Sequence, residues 1–146
     1  MKLSSKIRKP TKPEENPRKP TRHVISENVI RSYCEGVAQE FHTDKIVLFG
    51  SYAYGQPDPE SDVDLMVIMP FRGNDVAKAI QIRSRFSAPF ALDLLVRKPK
   101  FIEARLKERD MFIELVMTRG EVMYHRMNKA RPKFDAHVPA QYPVKS

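Results

Sequence analysis

Three aspartates occupy places where a buried strand would normally carry apolar residues. Asp62 and Asp64 bracket Val63 at the start of the run Val-Asp-Leu-Met-Val-Ile-Met, residues 63–69. Side chains at i and i+2 of a strand share a face, so the two carboxylates should stand about 5–7 Å apart. Anions so placed repel one another unless a cation neutralises them. Asp93 interrupts Phe-Ala-Leu-Asp-Leu-Leu-Val, residues 90–96. A lone ionised carboxylate inside such a strand is costly without a partner or a metal. If the two runs are neighbouring strands, all three acids converge. An all-oxygen set suits a hard cation such as Mg²⁺. Two such ions can activate an attacking hydroxyl and stabilise a leaving pyrophosphate. Taken singly, each aspartate has a plainer explanation: a turn after Ser61, a solvated edge, a bond to a buried donor. Their joint occurrence favours the shared role.

Gly50-Ser51 lies upstream and directly follows an apolar run. Glycine lets the backbone approach a ligand closely. The Ser51 hydroxyl and the amides opening a short helix after it can bond phosphate oxygens. Gly-Ser alone is a weak signal, since most such pairs are turns. The chain has neither a Walker A sequence nor Gly-x-Gly-x-x-Gly, so a triphosphate would be held differently. Arg97 and Lys98 follow the third acidic strand and are candidates for neutralising phosphate; solvated loop charges are the equal alternative. The four histidines are scattered and give no zinc-ligand spacing.

The elements that must position these residues are readable from periodicity. Ser26 can cap a helix over 27–42, with Val29, Ile30, Tyr33, Val37 and Phe41 at helical spacing. Lys45 to Phe49 reads as a strand that Gly50 ends. Gly55, Pro57 and Pro59 mark a loop. Residues 63–69 form a second strand, stopped by Pro70. Residues 75–86 read as a helix burying Val76, Ile80 and Ile82. Phe90 to Val96 is a third strand. Pro99 can open a helix carrying Phe101, Ile102 and Leu106. Asp110 can cap a last helix with Phe112, Leu115 and Val116, ended by Gly120. Residues 121–125 can add a short strand. The order αββαβαα implies an α/β (α+β) fold, a small mixed sheet flanked by helices in a single domain.

With those residues in place, a family resemblance appears. Leu48-Phe49-Gly50-Ser51, ten residues, then Asp62-Val63-Asp64 resembles the signature of the DNA polymerase β-like nucleotidyltransferases, which also have a third acid where Asp93 stands. Gly50 to Val67 is similar to the minimal nucleotidyltransferases, or MNT proteins. The resemblance covers about residues 24–125. It implies that Gly50 and Ser51 bind the nucleotide, and that Asp62 and Asp64 ligate Mg²⁺. Asp93 would be the third ligand or the base for the acceptor hydroxyl. Two Mg²⁺ would serve, with ATP as substrate. Many members carry Arg where this chain has Tyr54, so a phosphate contact from that position is not expected; Tyr54 packs or stacks on the base. Members of this kind are often antitoxins paired with a HEPN-domain toxin, and some transfer AMP to a tyrosine of it. A core of about a hundred residues leaves little room for acceptor recognition, which is compatible with a partner that brings its own hydroxyl.

The net charge of +8 is uneven. Residues 1–23 hold eight Lys/Arg against two Glu, and residues 126–146 hold five against one Asp. Residues 24–125 are slightly acidic. Both ends are proline-bearing and read as basic disordered tails. They are solvating extensions or arms for nucleic acid. No apolar run reaches the roughly 20 residues of a membrane helix, and the charged start has no apolar h-region. The expectation is a cytoplasmic protein without a membrane partner. The single cysteine, Cys34, falls among the apolar positions of the first helix and reads as core. Two other functions remain open. One is an antitoxin that acts by binding without chemistry. The other is nucleotidyl transfer to RNA or a small molecule such as an aminoglycoside.

Overall fold

The computed structural model describes residues 23–127. Apart from His23, Arg126 and Met127, the two expected basic tails lie outside the described residues. In chain order the elements are α1 (Glu27–Phe41), β1 (Lys45–Phe49), α2 (Ser51–Tyr54), β2 (Val63–Ile68), α3 (Asp75–Arg85), β3 (Leu92–Arg97), α4 (Pro99–Lys107), α5 (Met111–Arg119) and β4 (Glu121–His125).

Local chemistry sets the helix boundaries. Ser26 accepts from the Val29 amide, Asn74 from Ala77 and Asp110 from Ile113, so three helices start on side-chain caps. Pro99 sits in the first turn of α4, where its missing N–H costs nothing.

The four strands form one mixed sheet in the order β3-β2-β1-β4. β1 runs antiparallel to β2 and to β4, while β2 and β3 are parallel, joined through α3. Both faces are covered. One face packs α1 and α3 through Ile30, Val37, Ile46, Leu48, Leu65 and Ile82. The other packs α4 and α5 through Val47, Met66, Ile68, Ile102, Ile113 and Val116. The central strands are therefore buried on both sides, which is why β1 and β2 read as nearly unbroken apolar runs. Cys34 is fully buried, as expected, and burial pushes its thiol up to about 12. No helix among the described residues is long and apolar enough to cross a membrane.

Three details differ from the sequence reading. The third strand starts at Leu92 rather than Phe90, whose ring instead packs edge-on against Tyr33. In α3 only Ile82 is buried, and Val76 and Ile80 are 69% and 59% exposed. The helix packs near the sheet edge through the row Ala79–Ile82–Phe86, leaving the 76–80 row in solvent. In α5 the buried set is Ile113, Val116 and Met117, with Phe112 and Leu115 on the exposed side.

Candidate active site

Asp64 stands directly opposite Asp93 across the parallel β2–β3 pair, and opposite Phe49 across the antiparallel β1–β2 pair. Residues directly opposite one another share a face. Met66 and Ile68, two and four residues beyond Asp64, belong to the core under α4 and α5, and Leu95 packs against it. Asp64 and Asp93 thus project onto that face, at the end of the sheet the two helices leave uncovered.

Gly50 follows Phe49 and so arrives over Asp64. Its φ of 76° and ψ of −156° lie in a region open essentially to glycine alone. A Cβ built on it would also collide with Oδ2 of Asp64. Two independent constraints therefore require glycine here. The Gly50 carbonyl accepts from the Ala53 and Tyr54 amides at 2.9 and 3.0 Å, which starts α2 with Ser51 as its first residue.

Both tyrosines of α2 fix it in place. The Tyr52 hydroxyl accepts from the Ile25 amide at 3.0 Å, tying the helix to the segment before α1. Tyr54 packs against the core on the α4–α5 side, and the Arg119 guanidinium lies 5.2 Å from its ring centre. Asp58 organises the loop ahead of β2, accepting from the Glu60 amide at 2.8 Å while its own amide donates to Ser61 Oγ at 3.0 Å. Asp62 follows this turn, exposed and just outside the strand.

Asp64 is half-buried, and its carboxyl is pushed up to about 6. Burial is the larger cause, followed by the charges of Asp93 and Asp62 and a hydrogen bond with Asp93. The expected convergence is thus present electrostatically, with Asp64 and Asp93 as its closest members. Among the described residues the three do not close into a cluster of metal-ligand geometry. Asp93 is also exposed rather than buried, because β3 is the edge strand. Carboxylate oxygens are the donor type a hard divalent cation takes, and such an ion would offset the repulsion that adds to burial in raising the Asp64 carboxyl.

Arg97 and Lys98 belong elsewhere. Four residues of strand separate Asp93 from Arg97, about 13 Å. Arg97 pairs with Asp75 at 3.4 Å and donates to the Val96 carbonyl at 2.9 Å. Lys98 donates to the Gly73 carbonyl at 3.0 Å. Arg83 bonds the Leu92 carbonyl at 3.0 Å. These arginines cap carbonyls of the edge strand, a common way to blunt an open edge.

The family described as "Nucleotidyltransferase domain" matches residues 30–123, nearly the whole described fold. The chain belongs to that family. A Methanocaldococcus jannaschii protein provisionally named a protein adenylyltransferase is 43% identical over 56 residues, which cover 36% of this chain and 54% of that one. The chain therefore spans about half the length of this curated relative. Among solved structures, a Sulfolobus solfataricus protein provisionally named a nucleotidyltransferase is 22% identical over 68% of this chain and 79% of its own, with a TM-score of 0.48. The toxin–antitoxin structure MntA–HpeT is 16% identical over 77% and 86%, with a TM-score of 0.46.

Sequence reading did not single out three residues that make contacts around the Gly50 turn and its loop, Tyr52, Asp58 and Arg119. Tyr52 and Asp58 act through backbone bonds, and Arg119 sits 65 positions from the ring it covers. Only Asp58 had a local signal, a Pro-Asp-Pro turn.

Proposed function

We propose that the chain is a Mg²⁺-dependent nucleotidyltransferase that moves AMP from ATP onto a hydroxyl of a partner protein, a tyrosine of a HEPN-family toxin that it thereby neutralises. The observation behind this reading is the Asp64–Asp93 pair lying under the glycine-only turn at Gly50, within the nucleotidyltransferase family. The protein acceptor is supported by the adenylyltransferase name of the 43%-identical relative. The HEPN partner and the antitoxin role rest on the resemblance of Gly50 to Val67 to the minimal nucleotidyltransferases.

In this reading residues 24–125 are the catalytic domain. Gly50 and Ser51 hold the triphosphate, Gly50 by letting the backbone come close and Ser51 through its hydroxyl. Asp62 and Asp64, with Asp93 beside them, are the oxygen ligands for Mg²⁺. When bound, the metal offsets the charge of the triphosphate and of the departing pyrophosphate. The acceptor oxygen attacks the α-phosphorus, and a new P–O bond forms there. The bond from the α-phosphorus to the bridging oxygen breaks, and its electron pair leaves with pyrophosphate. Asp93 faces solvent at the sheet edge, where an incoming hydroxyl has access, and it takes the proton.

The test is incubation of the chain with ATP labelled at the α-phosphate, Mg²⁺ and the product of the neighbouring gene, expected to be the toxin. Label should move to a toxin tyrosine, and Asp64→Asn with Asp93→Asn should abolish the transfer. Transfer that survives the double substitution removes the carboxylates from the mechanism. Protection of cells by the double variant would mean neutralisation by binding. Label on RNA would replace the protein acceptor with a nucleic acid.

A further inference from the structure

The Gly50 turn and its three aspartates form a site of one charge sign. Asp62, Asp64 and Asp93 all repel anions, yet the ligand of the proposed reaction carries several phosphates. A cation supplied by the protein would offset that repulsion and stabilise phosphate charge directly.

Most of the described arginines are already engaged. Arg31, Arg85, Arg97, Arg105 and Arg109 pair with carboxylates, and Arg126 approaches Asp44. Arg119 differs: its recorded contact is the face of Tyr54. A cation held over an aromatic ring is oriented without being neutralised, and its N–H groups stay free to donate.

Its position follows from the topology. Tyr54 is the last residue of α2, the single turn that begins at Ser51. Arg119 is the last residue of α5, and the next residue, Gly120, packs tightly against the Leu48 carbonyl and Val47. Glu121 then pairs with Leu48. Arg119 therefore sits at the end of β1 from which Gly50-Ser51 continues. Tyr54 packs on the core that includes Met66 and Leu95, the face onto which Asp64 and Asp93 also project. The guanidinium, the turn and the carboxylates share one end and one face of the sheet.

We propose that Arg119 is a phosphate-binding residue of this site, contacting the outer phosphates of a nucleoside triphosphate, and that Tyr54 is its positioning residue. The inference rests on the nucleotidyltransferase reading above. The plain alternative is that Arg119 only complements the C-terminal dipole of α5 and packs on a tyrosine.

The experiment measures equilibrium binding of ATP, AMP and adenosine, each with Mg²⁺, to the full chain and to Arg119→Ala, Arg119→Lys, Arg119→Gln and Tyr54→Leu. Thermal melting without nucleotide is recorded alongside. Loss of a charge-assisted bond to phosphate should weaken ATP binding about 10- to 100-fold in Arg119→Ala. AMP should change much less and adenosine not at all. Arg119→Lys should recover part of the loss, and Tyr54→Leu should show a smaller loss with the same preference for ATP. A merely structural Arg119 would move the melting temperature and leave the ratio of ATP to AMP affinity unchanged, which overturns the proposal. If Arg119→Ala does not fold, that ratio in Arg119→Gln decides in the same way. A wild-type chain that binds no ATP overturns the functional reading and this inference together. A wild-type chain that binds ATP while Arg119→Ala binds it equally well overturns the inference alone.

Discussion

Replacing Asp64 by Asn should stabilise the metal-free protein at neutral pH while disabling the site. The Asp64 carboxyl is raised to about 6, from an ordinary value near 3.8, by burial and by its two acidic neighbours. Between those values the folded state holds a proton that the unfolded state has released. The contribution of this group to stability is therefore fully present below about pH 4 and is lost as pH rises through about 6. A shift of roughly two units corresponds to about 3 kcal/mol at most. Asp64 is only half-buried, and solvent screening reduces this to about 1–1.5 kcal/mol. Asn is nearly isosteric, carries no charge and can still donate to Asp93. In a domain of this size the gain corresponds to a rise in melting temperature of about 4–10 °C. The assay is urea unfolding of both proteins in EDTA at several pH values from 4 to 7.5. The curves should coincide at the acid end and diverge in favour of Asp64→Asn as pH rises. Mg²⁺ should then stabilise the wild type more than the variant. An Asp64→Asn protein that is less stable at pH 7.5, or a gap that does not change with pH, refutes the reasoning.

Gly50→Ala should destabilise the fold by about 2 kcal/mol or more by urea titration, because its dihedrals exclude a side chain and the new methyl meets Asp64. Ile82→Ala should cost about 3 kcal/mol through the cavity it leaves. Ile80→Ser, on the exposed row of the same helix, should stay within about 0.5 kcal/mol in the same titration. Native Cys34 should resist iodoacetamide at pH 8 by mass spectrometry and react fully once the chain is unfolded, since its thiol is buried and held near 12.

How much of this was readable in advance depended on whether the signal was local. Strand parity predicts Asp62 and Asp64 on one face; β2 begins at Val63, so Asp62 lies just outside the strand, yet its charge is still close enough to act on Asp64. The caps at Ser26 and Asp110 are signals of a few residues, and both helices begin there. Parity did not reveal that β3 is an edge strand. An apolar run interrupted by Asp93 reads alike at a sheet centre and at a sheet edge, and strand order decides whether that carboxylate is buried or open to an acceptor. The same limit applies to α3. Its periodicity offers two apolar rows, 76–80 and 79–82–86, and only the placement of the helix beside the edge selects the second.

Arg119 is the extreme of this limit, and it shows what a fold adds to a motif. In the sequence it is an arginine before a helix-ending glycine, which dipole complementarity explains without any function. Its closeness to the site arises because β4 returns antiparallel beside β1, with Glu121 set against Leu48. That register places the end of α5 at the mouth of the Gly50 turn, and Tyr54 then provides a ring for the guanidinium to lie on. The acidic half of the site is encoded within strands and is legible as spacing. The proposed basic half, Arg119, would be brought there by strand pairing between distant segments, so no spacing records it. A substitution that shifted the β1–β4 register by one residue would leave Asp62, Asp64 and Asp93 in place while moving Arg119. On the present reasoning it should weaken triphosphate binding without altering the acid pair.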